Sequence, residues 1–99
     1  MILARHEFRI KYGKIKEAIE VWKEIITIMR NTDDPQKIRM LTDITGPAYT
    51  MIIELELRDL IEFGFQNFQR NNTPRAAELY QDFLPLCNSS DRTIYKIEV

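Results

Sequence analysis

Apolar and polar residues alternate along the first ten positions of the chain. One side of this segment carries Ile2, Ala4, His6, Phe8 and Ile10. A period of two predicts a β-strand with one buried face. From Ile15 to Arg30, after a turn around Gly13, the apolar residues recur every three or four positions. That spacing predicts an amphipathic helix, with Trp22 in its apolar stripe.

The period of two returns in the middle of the chain. Ile38 to Thr45 and Tyr49 to Leu57 alternate and predict two strands, and Gly46 and Pro47 predict the turn between them. In the second of these strands, one face is expected to carry Tyr49, Met51, Ile53, Leu55 and Leu57. Because five apolar residues share that face, it is predicted to face the core.

Two helices and a last strand are predicted in the C-terminal part. Asp59 is a typical N-cap for a helix to about Gln69. The side chains expected to turn inward from this helix are Leu60, Phe63 and Phe68. Thr73 and Pro74 suit the N-cap and first position of a second helix, which carries Leu79, Tyr80, Phe83 and Leu84.

The chain end is expected to return to the sheet. Residues 88–92 are predicted to form a loop and 93–99 a strand, whose helix-side residues are expected to be Tyr95, Ile97 and Val99. The order β-α-β-β-α-α-β is typical of an α+β, ferredoxin-like fold, a four-stranded antiparallel sheet with helices on one face. With 99 residues, the chain is expected to form a single domain, 1–99.

Composition excludes several function classes. The formal net charge of −1 argues against nucleic acid as the main partner, because phosphate binding requires a basic surplus. No apolar run approaches the roughly 18 residues of a membrane helix. Charged residues interrupt the N-terminus, so no signal peptide is expected, and a cytoplasmic location is predicted.

Residues for metal or cofactor binding are scarce. The chain has one histidine and one cysteine, and no carboxylates at ligand spacing, so neither a metal site nor a cofactor is predicted. Asp33 and Asp34 are expected to be solvated or to cap a helix. Cys87 has no partner histidine nearby in sequence, which argues against a nucleophile.

The second face of the sheet mixes charges of both signs with large apolar residues. This outer face is expected to hold Leu3, Arg39, Leu41, Ile52, Glu54 and Ile94, among further charged residues. Such a face is too apolar for comfortable exposure to water and too charged for a dry core. Because a twofold interface is self-complementary, a second copy can cover the apolar residues and pair the charges. We therefore predict a homodimer through this face; a solvated sheet with scattered apolar residues is the alternative.

Two stretches carry a family resemblance. Residues 8–14 lead into a helix with Glu17 and Trp22, and resemble the first strand, K-P-G-K turn and tryptophan-bearing helix of the NIPSNAP-like proteins. Residues 45–63 are similar to that family's Gly-Pro turn, third strand and following helix. Tyr12 stands where the family usually has proline. Together the two stretches cover roughly two thirds of the chain and place it near the dimeric α+β barrel superfamily.

The resemblance implies a homodimer whose two sheets close into a barrel. It implies little about chemistry, because the superfamily includes cofactor-free monooxygenases, haem-degrading enzymes, isomerases and dehydratases. Haem degradation fits poorly, since no histidine follows the third strand. In such folds the usual pocket lies between the sheet and its helices.

Candidate site residues follow from the predicted faces. His6 is the one side chain whose ordinary pKa suits proton transfer near neutral pH, and it is either a catalytic base or a buried, hydrogen-bonded structural residue. The candidate ligand-binding residues are Trp22, Thr42, Tyr49, Met51, Phe68, Tyr80 and Tyr95. Most of these aromatic residues have a simpler interpretation as core.

Two functions stay open. The first is a dimeric module that binds a hydrophobic or aromatic small molecule between sheet and helices, with or without cofactor-free monooxygenase or isomerase-type chemistry. The second is a non-catalytic dimer with a regulatory, stress or assembly role. A roomy pocket with convergent polar groups favours the first, and a completely filled space favours the second.

Overall fold

The computed structural model describes residues 1–31 and 37–99. Asp33 and Asp34 therefore lie outside the described residues. The strands are β1 (Ile2–Ile10), β2 (Lys37–Thr42), β3 (Thr50–Leu57) and β4 (Cys87–Lys96). The helices are α1 (Ile15–Arg30), α2 (Leu60–Asn71) and α3 (Pro74–Phe83), and a short 3₁₀ turn at Leu84–Leu86 follows α3.

The four strands form one antiparallel sheet in the order β2-β3-β1-β4. Together with the order of elements, this confirms the predicted ferredoxin-like α+β fold. The bounds of α1 agree with the apolar spacing, whereas β2 ends at Thr42, three residues earlier than expected. Within the described ranges, no helix is long and apolar enough to cross a membrane.

The core lies between one face of the sheet and the helices α1 and α3. Phe8 meets Phe83 edge-to-face with ring centres 4.9 Å apart, and Trp22 meets Phe83 in the same way at 5.6 Å. Trp22 is only 1% exposed, which agrees with the interpretation of the α1 stripe as core. Burial of these rings supplies much of the area that stabilises the domain.

Residues in two turns, one between β1 and α1 and one between β2 and β3, have positive φ values. Gly13 and Gly46 have φ values of 77° and 103°, which glycine adopts without steric cost. Tyr49 was predicted as the first residue of β3, but it precedes the strand with φ 61°. Its ring packs edge-to-face on Tyr12, with 5.5 Å between ring centres. Tyr49 therefore belongs to the turn.

The prediction for β4 was wrong in extent and in facing. Residues 88–92 are part of the strand, and Ile94 lies opposite Ala4 while Tyr95 lies opposite Leu3. Paired residues share a face, so Ile94 is on the helix side and Tyr95 on the outer side. The strand is at the sheet edge and mostly exposed, so it has no clear apolar alternation; a one-residue error then reverses every side chain.

Helix α2 agrees with its prediction only in part: Phe63 lies on the sheet side near Arg92 of β4, whereas Leu60 and Phe68 do not turn inward. The cap was correct, because the Asp59 carboxylate accepts a hydrogen bond from the Glu62 backbone N–H at 2.8 Å. However, Phe68 is 64% exposed and Leu60 is 62% exposed, while Gln66 is the buried residue of this helix. Gln66, Asn67 and Arg70 lie on the sheet side of the helix together with Phe63. Its exposed apolar side chains are Leu60, Ile61, Phe65 and Phe68.

Candidate functional site

His6 lies near the middle of the sheet, on the helix side. Within the ladder it is opposite Ile53 of β3 and Arg92 of β4. Its imidazole packs edge-to-face on Phe8, with ring centres 5.8 Å apart. The strand β1 is central in the sheet, so the position of this ring is set by neighbours on both sides.

A cavity of about 480 Å³ opens beside His6, between β1, β4 and the ends of α2 and α3. Its lining residues are His6, Phe8, Asn67, Arg70, Asn71, Tyr80, Ser90, Asp91 and Arg92. A smaller and mostly apolar space of about 20 Å³ lies deeper, with Trp22, Ile53 and Phe63 in its wall. His6, Asn67 and Arg70 line both spaces. These three side chains therefore border both the polar outer space and the apolar deeper one.

Two guanidinium groups lie against aromatic rings beside these two spaces. The Arg70 guanidinium carbon is 4.7 Å from the centre of the Tyr80 ring, and that of Arg92 is 5.1 Å from the centre of the Phe63 ring. Contacts of this kind are attractive because the ring face carries partial negative charge. They hold both cations beside the cavity.

Two buried N–H groups next to this space have no hydrogen-bond partner within the described part of the chain. They are the indole Nε1 of Trp22 and the Nε of Arg70. An unpaired buried donor costs on the order of 1–3 kcal/mol. A ligand with an acceptor oxygen recovers such a cost when it binds.

The surroundings of His6 lower its pKa from 6.5 to about 4, through burial first and then through repulsion by Arg70 and Arg92. The imidazole is therefore neutral at pH 7 and offers one donor and one acceptor. Burial also lowers the pKa of Arg70, which keeps its charge. The site is thus a cationic cavity with a neutral histidine.

The structure brings together only part of the predicted ligand-binding set. His6, Trp22 and Tyr80 line one or both of the two spaces. Met51 is fully buried in the core beside Phe8. The other predicted residues lie away from the cavity: Thr42 in a shallow groove on the outer side, Tyr49 in the turn before β3, Phe68 on the exposed side of α2, and Tyr95 on the outer face.

Sequence reasoning missed the polar residues Asn67, Arg70 and Arg92. The spacing of Phe63, Asn67 and Arg70 places them on one face of a helix, at steps of four and three residues. That signal was available, but the apolar stripe of α2 was assigned to the interior instead. Arg92 was not recognised as a site residue, because residues 88–92 were predicted to form a loop and not part of β4.

No family model and no curated protein sequence matches this chain. Solved structures do resemble it. An uncharacterised NIPSNAP domain protein from Burkholderia xenovorans is 15% identical, with a TM-score of 0.82 over 100% of this chain and 96% of the other. A NIPSNAP family protein from Agrobacterium tumefaciens is 20% identical, with a TM-score of 0.84 over 96% and 90%.

A third similar structure is that of a candidate enzyme. A candidate antibiotic biosynthesis monooxygenase from Nitrosomonas europaea is 9% identical, with a TM-score of 0.81 over 100% of both chains. The chain has the fold of NIPSNAP-domain proteins. The resemblance stated from residues 8–14 and 45–63 is thereby confirmed at the level of fold. At these identities the likeness carries no substrate or reaction across.

The described residues also lack any group of three or more His, Cys, Asp or Glu side chains that could hold a metal ion. Cys87 is half-buried, and burial raises the pKa of its thiol. A raised pKa leaves little thiolate at neutral pH, so this side chain is a poor nucleophile.

Proposed function

We propose that this protein binds a small hydrophobic or aromatic molecule in the cavity beside His6, between the sheet and the helices α2 and α3. The observation that carries the proposal is the open space of about 480 Å³ on which polar side chains from β1, β4, α2 and α3 converge. A pocket with a few convergent polar groups and apolar neighbours is the usual form of a ligand site. A purely structural module is expected to have a completely filled space here, whereas this cavity is open.

Binding is better supported than catalysis. A general base works best when its pKa lies near the working pH. The pKa of His6 is lowered to about 4, so the imidazole accepts a proton with little driving force at pH 7. Monooxygenase or isomerase-type chemistry would therefore require the bound molecule itself to raise that pKa. The deeper apolar space of about 20 Å³ has room for little more than one water-sized group, so the body of a ligand would lie in the outer cavity, against Phe8 and Tyr80.

We also propose that the protein is a homodimer in which a second copy covers the outer face of the sheet. Leu41 and Tyr95 are exposed on that face, where Leu3, Ile52 and charges of both signs also lie. The Nε of Arg5, on the same face, is buried without a partner among the described residues. Opposite charges on a self-complementary face favour pairing of two copies.

We propose the cytoplasm as its compartment, where an unpaired thiol stays reduced.

Native mass spectrometry of the freshly purified protein tests both parts. We expect a dimer that carries a small organic molecule, and we expect the His6→Ala variant to lose that molecule while remaining dimeric. A dimer that stays empty after exposure to a library of aromatic compounds contradicts the binding function. A monomer contradicts the interface.

A further inference from the structure

The cavity carries an uncompensated positive charge. Arg70 and Arg92 both line it, and in the described part of the chain neither forms an ion pair with a carboxylate. Asp91 also borders the cavity, but it lies opposite Glu7 in the ladder and so belongs to the outer face. Arg9, Arg39, Arg58 and Arg75 do form such pairs, Arg75 with Glu24 at 3.0 Å.

Beside its contact with the Tyr80 ring, Arg70 has five guanidinium N–H donors in a fixed plane. The Nε–H of Arg70 is buried and has no acceptor. Charged donors of this kind form their strongest hydrogen bonds with anionic oxygens, often two at a time.

We infer that the molecule bound in this cavity carries a carboxylate on its hydrophobic body, and that Arg70 and Arg92 bind this carboxylate. The inference rests on the proposed function and names the class of ligand for the same site. A neutral polar group would leave two cations without a counterion. A phosphate monoester carries close to two negative charges at pH 7 and costs more to bring beside the apolar wall of Phe8 and Phe63.

A carboxylate bound in the cavity would lie close to His6. The groups that face it are Arg92 from β4, Arg70 from α2 and the Tyr80 phenol from α3, with apolar Ile53 from β3 and Trp22 from α1. A bound carboxylate offsets the repulsion from both arginines. It therefore raises the pKa of His6, and binding becomes coupled to uptake of a proton in the acid range.

The test compares aromatic acids with their neutral amides. Benzoate, cinnamate and 1-naphthoate, each beside its primary amide, are titrated into the full-length protein by calorimetry and by backbone NMR; phenyl phosphate is a third arm. At least one acid is expected to bind about tenfold or more tightly than its amide, since loss of a charged hydrogen-bonded pair is worth at least about 1.4 kcal/mol. Phenyl phosphate is expected to bind more weakly than that acid.

Variants locate the contact. Arg70→Gln and Arg92→Gln should each weaken binding of the acid by about tenfold. Arg70→Lys should weaken binding less, because lysine keeps the positive charge, but some loss should remain because lysine lacks the planar fork of N–H donors. Arg75→Gln is the matched control, since Arg75 pairs with Glu24 outside the cavity, and it should change the affinity by less than about twofold. Circular dichroism checks that each variant is folded; should Arg70→Gln unfold, Arg70→Lys and Arg92→Gln carry the test.

The outcomes separate the two proposals. Amides that bind as tightly as their acids at the cavity residues overturn the carboxylate inference and leave the binding function standing. Tighter binding of phenyl phosphate also overturns the inference. If neither acids nor amides shift the signals of His6, Asn67 and Tyr80, both proposals fail.

Discussion

The Arg70 guanidinium carbon lies 4.7 Å from the centre of the Tyr80 ring, and this contact joins the last turn of α2 to α3. Helix α2 contributes one buried residue, Gln66, so little apolar packing holds it to the rest of the domain. The Tyr80 ring in turn meets Trp22 of α1 edge-to-face, with 6.2 Å between ring centres. Arg70, whose contact with Tyr80 stabilises the end of α2, thus also lines the candidate ligand site.

The stability of the domain should fall as the pH is lowered from 6.5 to 4. The pKa of His6 is about 4 in the folded protein and near 6.5 in the unfolded chain, so the unfolded state binds more protons in this window. Acidification therefore favours unfolding, with a slope from this residue of at most about 1.4 kcal/mol per pH unit, reduced by solvent screening.

Urea unfolding of the wild type and of His6→Gln between pH 4 and pH 7 isolates this contribution, because the carboxylates titrate in both proteins. The stability of the variant relative to the wild type should rise as the pH falls. A difference that stays constant across the range would show that His6 is not held neutral by its surroundings.

The dimer interface is expected to respond to a charge at Leu41. This side chain is 38% exposed on the outer face of the sheet, so Leu41→Glu leaves the monomer core intact and places a desolvated carboxylate in the proposed interface. An uncompensated buried charge costs several kcal/mol, and the dimer should dissociate in analytical ultracentrifugation.

Ile61→Glu is the matched control, since Ile61 is 85% exposed on the far side of α2. A dimer that survives Leu41→Glu but not Ile61→Glu would show that the copies meet through α2. Arg39→Glu, a charge reversal on the same face, is less useful, because the Arg39 Nε donates to the buried Glu54 carboxylate of the same chain at 2.6 Å.

Replacement of Gly64 by alanine should stabilise the protein by about 0.5–1 kcal/mol. Gly64 lies in the interior of α2, and a Cβ at this position meets no atom within 4 Å. Alanine therefore gains helix propensity without a clash. Gly13→Ala is the control: its Cβ also has space, but φ is 77°, so it should be destabilising. Equal effects in thermal unfolding would contradict this account.

The sequence predicted the fold where periodicity coincides with burial. The alternation in β1 and the three- and four-residue steps of α1 reflect a single buried face, and both elements were correct to within one residue. The strand β4 has neither side fully covered, so its extent and its facing were wrong.

The site was predicted less well than the fold, for a physical reason. Apolar side chains were assumed to turn inward in α2, whereas Asn67 and Arg70 line the cavity and Phe68 is exposed. Hydrophobic patterning identifies the apolar residues that pack in the core. The wall of this cavity is largely polar, so the same pattern overlooks the residues that line it. His6 could be singled out because its place on an apolar strand face was correct, but its two cationic neighbours come from elements distant in sequence.

His6 reports most directly on the charge of the cavity, and because the chain has one histidine, its NMR signal needs no assignment. We would titrate that signal from pH 3 to pH 8, without and with saturating 1-naphthoate. The predicted result is a pKa near 4 in the free protein and a value at least about one unit higher with the acid bound. A pKa near 6.5 that the acid leaves unchanged would contradict both the cationic cavity and its proposed ligand.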